Sequence, residues 1–395
     1  MKNKIQKTKI IYPIFLIFKH LYLSFYYGIF MNVFKLFKIK NNKIVISNYY
    51  GKGYGDNAKY VCDELLKMNE KFDIVWLCKN INDKSVPTGI RKVKYNSIKA
   101  LYELSTAKIW MDNCRKSYHI IKRSGQYYIQ LWHGCTMLKK IEFDVQDKLG
   151  KYYTRNMIKD NEICDLFISN SKYFSKRCRE SFKFEGKILE AGEPKGDVLL
   201  NNHNKMATEF KEKNGLVNSI IILYAPTFRM DYSSNPYDID FQSIAESFKK
   251  KGLNVKVLVR LHPNITSESF NFKFNKDIID MSKYPDMQEL LAASDILITD
   301  YSSIMFESML IDKNVILYVK DIDSYCDDRG FYFNLEELPF SMVKNNDDLL
   351  DVLDNFNGFN PDVYQKMKEE IGLFDKRCSA VSLSNLIKNI VLKGD

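Results

Sequence analysis

The chain lacks the cysteine patterns that hold small domains together. Its eight cysteines, Cys62, Cys78, Cys114, Cys135, Cys164, Cys178, Cys326 and Cys378, include no CxxC pair and no Cys/His group at zinc-ligand spacing. This argues against a structural metal or a disulfide framework, and cysteines scattered through apolar segments fit a reducing compartment. Neither GxxxxGK[ST] nor GxGxxG occurs, which argues against a P-loop enzyme and a dinucleotide enzyme. No low-complexity tract or repeat at solenoid or propeller period is present. What is there is a globular body of 395 residues, 45% hydrophobic, long enough for two cores.

Acidic residues are missing from one place in particular. Residues 1–55 hold ten lysines and no Asp or Glu, and the remaining 49 basic residues balance 49 acidic ones. The net charge of +10 therefore belongs to the N-terminus, and a neutral body disfavours a nucleic-acid partner. Residues 10–34 are rich in Phe, Tyr, Ile and Leu, interrupted by Lys19, His20, Ser24, Gly28 and Asn32. Polar positions at 20, 24, 28, 32, 35 and 38 draw a narrow stripe down an apolar helix, which with flanking lysines predicts an amphipathic segment (1–42) lying on an anionic membrane surface. A spanning helix, an uncleaved signal and a helix packed on the body are the alternatives. No small-residue cleavage site follows the apolar run, and Lys35, Lys38 and Lys40 come instead, so the segment is expected to stay in the mature protein.

From Lys43 onward, short β-rich runs (KIVISN, FDIVWLC, AKIWMDN, YYIQLWHG, LFISNS) alternate with amphipathic stretches, the rhythm of a parallel sheet covered by helices. After a polar stretch, NNHNKMATEFKEKNG, a fresh series begins at SIIILYAPTF and continues through VKVLVRLHP, DILITDYSS and NVILYV. Two Rossmann-like α/β domains, 43–205 and 206–395, are expected to face each other across a cleft, with the ligand outside the carboxyl ends of the strands.

Three constellations carry chemistry. In QLWHGCTMLKKIEFD (130–144) a strand ends at His133-Gly134: a histidine exchanges protons near neutral pH, the glycine admits a close ligand or backbone, and Lys139 or Lys140 follows for phosphate charge. A strand-end histidine by itself is more often structural than catalytic. In VLVRLHPNI (257–265) period-two alternation puts Arg260 and His262 on one face at a strand end. In SDILITDYSSIMFESMLI (294–311) a buried strand, the turn Asp300–Ser303 and a helix follow in order, so that Ser302 and Ser303 cap the helix or donate hydroxyls to phosphate. Weaker elements are GEPKGD (192–197), YAPTFR (224–229), where Pro226 and Thr227 would bend backbone around a base, and DDRGFYF (327–333); Arg229 and Arg329 are candidates for a pyrophosphate.

Taken in order, WHGCTMLKKIEFD, SNSKYF, GEPKGD, ILYAPTFR, LHP, DILITDYSSIMFE and DDRGFYF resemble the CDP-glycerol glycerophosphotransferase family of teichoic acid synthesis, over residues 44–345, and YGKGYGDNAKY (50–60) fits that family's first loop. The resemblance implies a GT-B-like fold and attachment to the cytoplasmic face of the cell membrane. It also implies transfer of glycerol phosphate from CDP-glycerol, or of a related polyol phosphate from CDP-ribitol, to a hydroxyl of an undecaprenyl-type lipid-linked acceptor, with release of CMP and no cofactor. It implies His133 as general base, His262 as a pyrophosphate contact, and Asp300, Ser302 and Ser303 as phosphate or polyol contacts; Gly134, Lys139, Pro226, Thr227, Arg229, Arg260 and Arg329 complete the expected substrate-binding set. Two departures stand out: Cys135-Thr136 where the family has Thr-Pro, and Lys195 where it has Arg, which keeps charge but loses the planar fork. Two other functions remain open at this point, a GT-B glycosyltransferase using a nucleotide sugar and a non-enzymatic membrane adaptor.

Overall fold

The computed structural model describes residues 11–229, 237–262, 273–323, 325, 330–355, 360–374 and 376–393. Helix α1 (Ile11–Phe34) leads into a first α/β unit: β1 (Lys40–Ser47), α2 (Asp56–Lys67), β2 (Asp73–Cys78), β3 (Arg91–Lys94), α3 (Ile98–Thr106), β4 (Ala107–Asp112), β5 (Tyr127–Gln130), α4 (Lys151–Ile163), β6 (Leu166–Ser169), α5 (Lys172–Glu180), β7 (Lys187–Glu190) and α6 (Pro194–Lys213). The second comprises β8 (Ile220–Tyr224), α7 (Phe241–Lys250), β9 (Val255–Val259), β10 (Ile278–Asp280), α8 (Met287–Ala293), β11 (Ile296–Thr299), α9 (Ile304–Leu310), β12 (Asn314–Tyr318), β13 (Ser341–Val343), α10 (Asn346–Asp354) and α11 (Pro361–Glu370), and the chain closes with α12 (Ser379–Lys393).

Both sheets are parallel and wound the same way. Their orders are β3-β2-β1-β4-β5-β6-β7 and β10-β9-β8-β11-β12-β13, so each reverses direction between its first strand and the next one laid on the other side. Such a reversal opens a crevice at the strands' carboxyl ends. Strands buried on both faces read as near-continuous apolar runs, as in β11 (ILIT), every residue of which is buried. Helices start where side chains satisfy their free N–H groups: Ser171 accepts from Phe174 N ahead of α5, and Asp286 from Gln288 N ahead of α8.

The boundary expected at 205/206 falls inside α6, which runs unbroken from Pro194 to Lys213. The last helix also leaves the second unit. Leu383 and Ile387 of α12 pack in one apolar cluster with Ile44, Val61 and Leu65 of the first, and Asp197 accepts from Ala380 N at 2.8 Å.

Helix α1 lies against the first unit through Tyr27 and Met31, which are buried, and through the half-buried Leu23, Tyr26, Phe30 and Phe34. The polar stripe read from the sequence is partly spent inward: His20 stacks 4.5 Å from Tyr152, and Ser24 Oγ lies 3.2 Å from His119 Nδ1. What faces away is mostly apolar, with Lys19, Ser24 and Asn32 also exposed. Phe18, Leu21, Tyr22, Phe25, Ile29, Val33 and Leu36 are all exposed and recur at helical spacing. Among the described residues, no helix is long and apolar enough to cross a membrane.

Candidate active site

A cleft of about 690 Å³ separates the two units at the carboxyl ends of their strands. Its first-unit wall centres on His133. Strand β5 ends at Gln130, whose side chain accepts from Trp132 N at 3.0 Å, and Trp132 turns the chain through a left-handed conformation, φ +48°. The ring of His133 then stacks on that of Trp132 at 4.6 Å and meets Tyr49 at 5.4 Å. Its Nδ1 lies 2.6 Å from the carbonyl of Asn113, at the end of β4. A carbonyl only accepts, so Nδ1 carries the proton and Nε2 keeps the lone pair. Burial pushes the pKa of His133 below its ordinary value, so the ring is neutral near pH 7 and able to take a proton.

The next residue brings the units into contact. A Cβ on Gly134 would stand 2.7 Å from Ser303 Oγ, so a side chain there would force the serine hydroxyl to move. Cys135, the departure beside the base, is fully buried, its thiol pKa raised by burial, and is not among the residues lining the cleft.

The second-unit wall comprises Pro226 and Thr227 after β8, Arg260 and His262 after β9, and Ser302 and Ser303 after β11. Burial, then the charges of Lys52 and Lys139, push the pKa of His262 down to about 4. Arg260 donates to the carbonyls of Tyr284 and, at 3.3 Å, Met281 while lining the cleft. Ser302 Oγ accepts from Ile304 N at 3.4 Å, a weak cap, whereas Ser303 makes no side-chain cap.

Other expected residues stand behind this wall. Asp300 accepts from Thr227 N at 2.9 Å, Thr227 Oγ1 at 3.0 Å and Tyr301 N at 2.6 Å, and so holds the two loops together. Arg229, expected to face a pyrophosphate, pairs instead with Asp321 at 2.7 Å and Asp300 at 2.9 Å and is 6% exposed. Its guanidinium is engaged by two carboxylates, which neutralise what a phosphate would need. Lys139 forms a backbone bridge with Phe331, and its ammonium sits 4.8 Å over the Tyr325 ring. Arg329 lies outside the described residues.

Sequence reasoning missed the acidic floor beneath His133. Lys195, which stands where the family has Arg, is 3% exposed and enclosed by carboxylates: Glu307 at 2.7 Å, Glu193 at 3.4 Å and Asp56 at 3.8 Å. Removing one partner of such a buried pair typically costs ~3–5 kcal/mol. Asp56 and Asn57 begin α2, and Asn57 donates to the carbonyls of Leu131 and Trp132 at 3.2 and 3.3 Å, fixing the floor to the strand end that presents the base. The signal was the glycine run of YGKGYGDN, where Gly51 (φ +84°) and Gly53 (φ +69°) adopt left-handed backbone and carry the loop, with Lys52, along the cleft. The chain has two Asp-x-Asp triplets, 238–240 and 321–323, and three of their four carboxylates are engaged within the protein: Asp238 pairs with Lys320, Asp240 caps α7, and Asp321 binds Arg229. Among the described residues no cluster of His, Cys, Asp or Glu has the arrangement of a metal site.

The family model for CDP-glycerol:poly(glycerophosphate) glycerophosphotransferases matches residues 29–391. The chain belongs to this family. It is 30% identical over 359 residues to a teichoic acid poly(glycerol phosphate) polymerase of Bacillus spizizenii, covering 86% of this chain and 91% of that one. It is 32% identical over 356 residues to the polymerase of the same name from Staphylococcus epidermidis, of whose length it spans 49%. The solved wall teichoic acid polymerase TagF superposes with a TM-score of 0.81 at 29% identity, covering 92% of this chain and 93% of that structure. This glycerophosphotransferase-family chain thus has the GT-B-like fold expected of it, with His133 and His262 on opposite walls of one cleft.

Proposed function

We propose that the protein transfers glycerol phosphate, or a related polyol phosphate, from a CDP-linked donor to a hydroxyl of a lipid-linked acceptor and releases CMP. The observation that carries this reading is His133, neutral and held in one tautomer by the Asn113 carbonyl, sharing a cleft with His262 and the serine turn. The acceptor oxygen forms a bond to the distal phosphorus, the one bearing the polyol, as its proton passes to His133 Nε2. The bond from that phosphorus to the bridging oxygen breaks, and CMP leaves with the electron pair. Charge gathering on the phosphoryl oxygens is met by His262 and the hydroxyls of Ser302 and Ser303, with Lys52, Lys84 and Lys283 along the same cleft. Arg260 supports the diphosphate from its strand end, and Pro226 and Thr227 shape the wall for the cytosine; Asp300 acts from behind by holding Thr227.

The exposed apolar face of α1, flanked by Lys19 and Lys35, fits the boundary of an anionic leaflet, where lipid phosphates attract each nearby lysine with roughly 1 kcal/mol. That placement confines the enzyme to the cytoplasmic face of the membrane, where an undecaprenyl-type acceptor lies. The deciding experiment incubates the protein with CDP-glycerol and, separately, CDP-ribitol over a lipid-linked acceptor. Acceptor heavier by one polyol phosphate, with CMP in equal amount, is expected. Sugar transfer from a nucleotide sugar, or no product from either donor, overturns the reading.

A further inference from the structure

The cleft floor bridges the two units through one side chain that the reaction as written does not use. Lys195, near the start of α6, is surrounded by Asp56 and Glu193 from its own unit and Glu307 from the other. Glu307 is the member of this group that crosses the cleft. One of its oxygens pairs with Lys195 at 2.7 Å and the other accepts from Gln288 at 2.8 Å, so α9 is fastened both to the first unit and to α8. Ser303 lies one helical turn before Glu307, on the same face, and Ser303 is the side chain that abuts Gly134, next to the base. A displacement of α9 along this contact changes the separation between the serine turn and His133 directly.

Building on the transfer reading above, we propose that Glu307 is a positioning residue of the reaction: its ion pair with Lys195 sets the serine turn at the distance from His133 that in-line transfer requires. Placement errors near 1 Å reduce turnover by up to about 10²-fold. The groups facing Glu307 are Lys195, Glu193, Asp56 and the neutral Gln288. Burial, opposed by Lys195 and reinforced by Glu193 and Asp56, pushes its pKa up to about 7. The bridge is therefore complete above that pH and weakened below it.

The test compares wild type with Glu307→Gln, which keeps the shape and removes the charge. The expected result is a kcat lower by 10-fold or more, CDP affinity by calorimetry unchanged within about twofold, and loss of the inflection near pH 7 from the kcat profile while the lower, His133 limb remains. Unchanged kcat overturns the proposal, and so does a parallel fall in kcat and CDP affinity, which marks a general structural role. If Glu307→Gln does not fold, Glu307→Asp keeps the charge and shortens the reach: reduced kcat with intact CDP binding supports the bridge, and unaltered kcat refutes it. Wild-type protein that binds no CDP removes the transfer reading itself, a separate outcome from wild type and variant binding CDP and turning over alike.

Discussion

Both cleft histidines follow the carboxyl end of a parallel strand, yet their surroundings are opposite. His133 donates through Nδ1 to a carbonyl, stacks on Trp132 and has Asp56 as its largest charge influence, opposed by Lys195 and supported by Glu142. His262 feels the charges of Lys52 and Lys139, which add to burial in driving its proton off. A base must be neutral before the reaction and tolerated as a cation after it, which suits the acid-floored socket. An imidazole among cations gains its proton when an anion arrives, which suits a diphosphate contact. The roles proposed for the same residue type at the same kind of position thus differ through its electrostatic neighbours.

The sharpest way to break this comparison is His133→Ala. Loss of a general base lowers kcat by ~10²–10⁴-fold. CDP affinity, measured by calorimetry, is expected to stay within a few-fold, because the proposed diphosphate contacts lie on the other wall. His262→Gln should do the reverse: a charge-assisted hydrogen bond contributes about 1.5–3 kcal/mol, so CDP binding weakens by roughly 10–10²-fold, while kcat at saturating donor falls less. If each substitution moved affinity and kcat together, the two histidines would share one task.

Much of this arrangement was legible in the sequence because strands buried on both faces announce themselves and their ends carry the chemistry. WHG, RLH and TDYSS each follow such a run, and all three reach the cleft. Long-range pairing was harder to read. Nothing local to YAPTFR indicates that Asp300 and Asp321, 71 and 92 residues further on, engage the Arg229 guanidinium. Lys195 likewise reads as an available cation until the fold closes Asp56, Glu193 and Glu307 around it. On α1 the period was read correctly as helical, but periodicity alone does not say which face meets the body. Aromatic partners His119 and Tyr152 draw His20 toward the body and leave the Phe-rich face outside.

The smallest expected effect tests the comparison most directly. In the free cleft the pKa of His262 is about 4, so at pH 6 the ring is almost entirely neutral. A bound diphosphate favours the imidazolium and raises that pKa; if it rises past 6, binding takes up as much as one proton. The sign follows: CDP affinity falls as pH rises from 6 to 8, by no more than about tenfold per pH unit, because the bound state holds the additional proton. Titrations in two buffers of different ionisation enthalpy count that proton. Uptake should vanish in His262→Gln and persist in His133→Ala. Uptake that instead survives the first substitution and disappears in the second would place the diphosphate on the His133 wall and exchange the two roles.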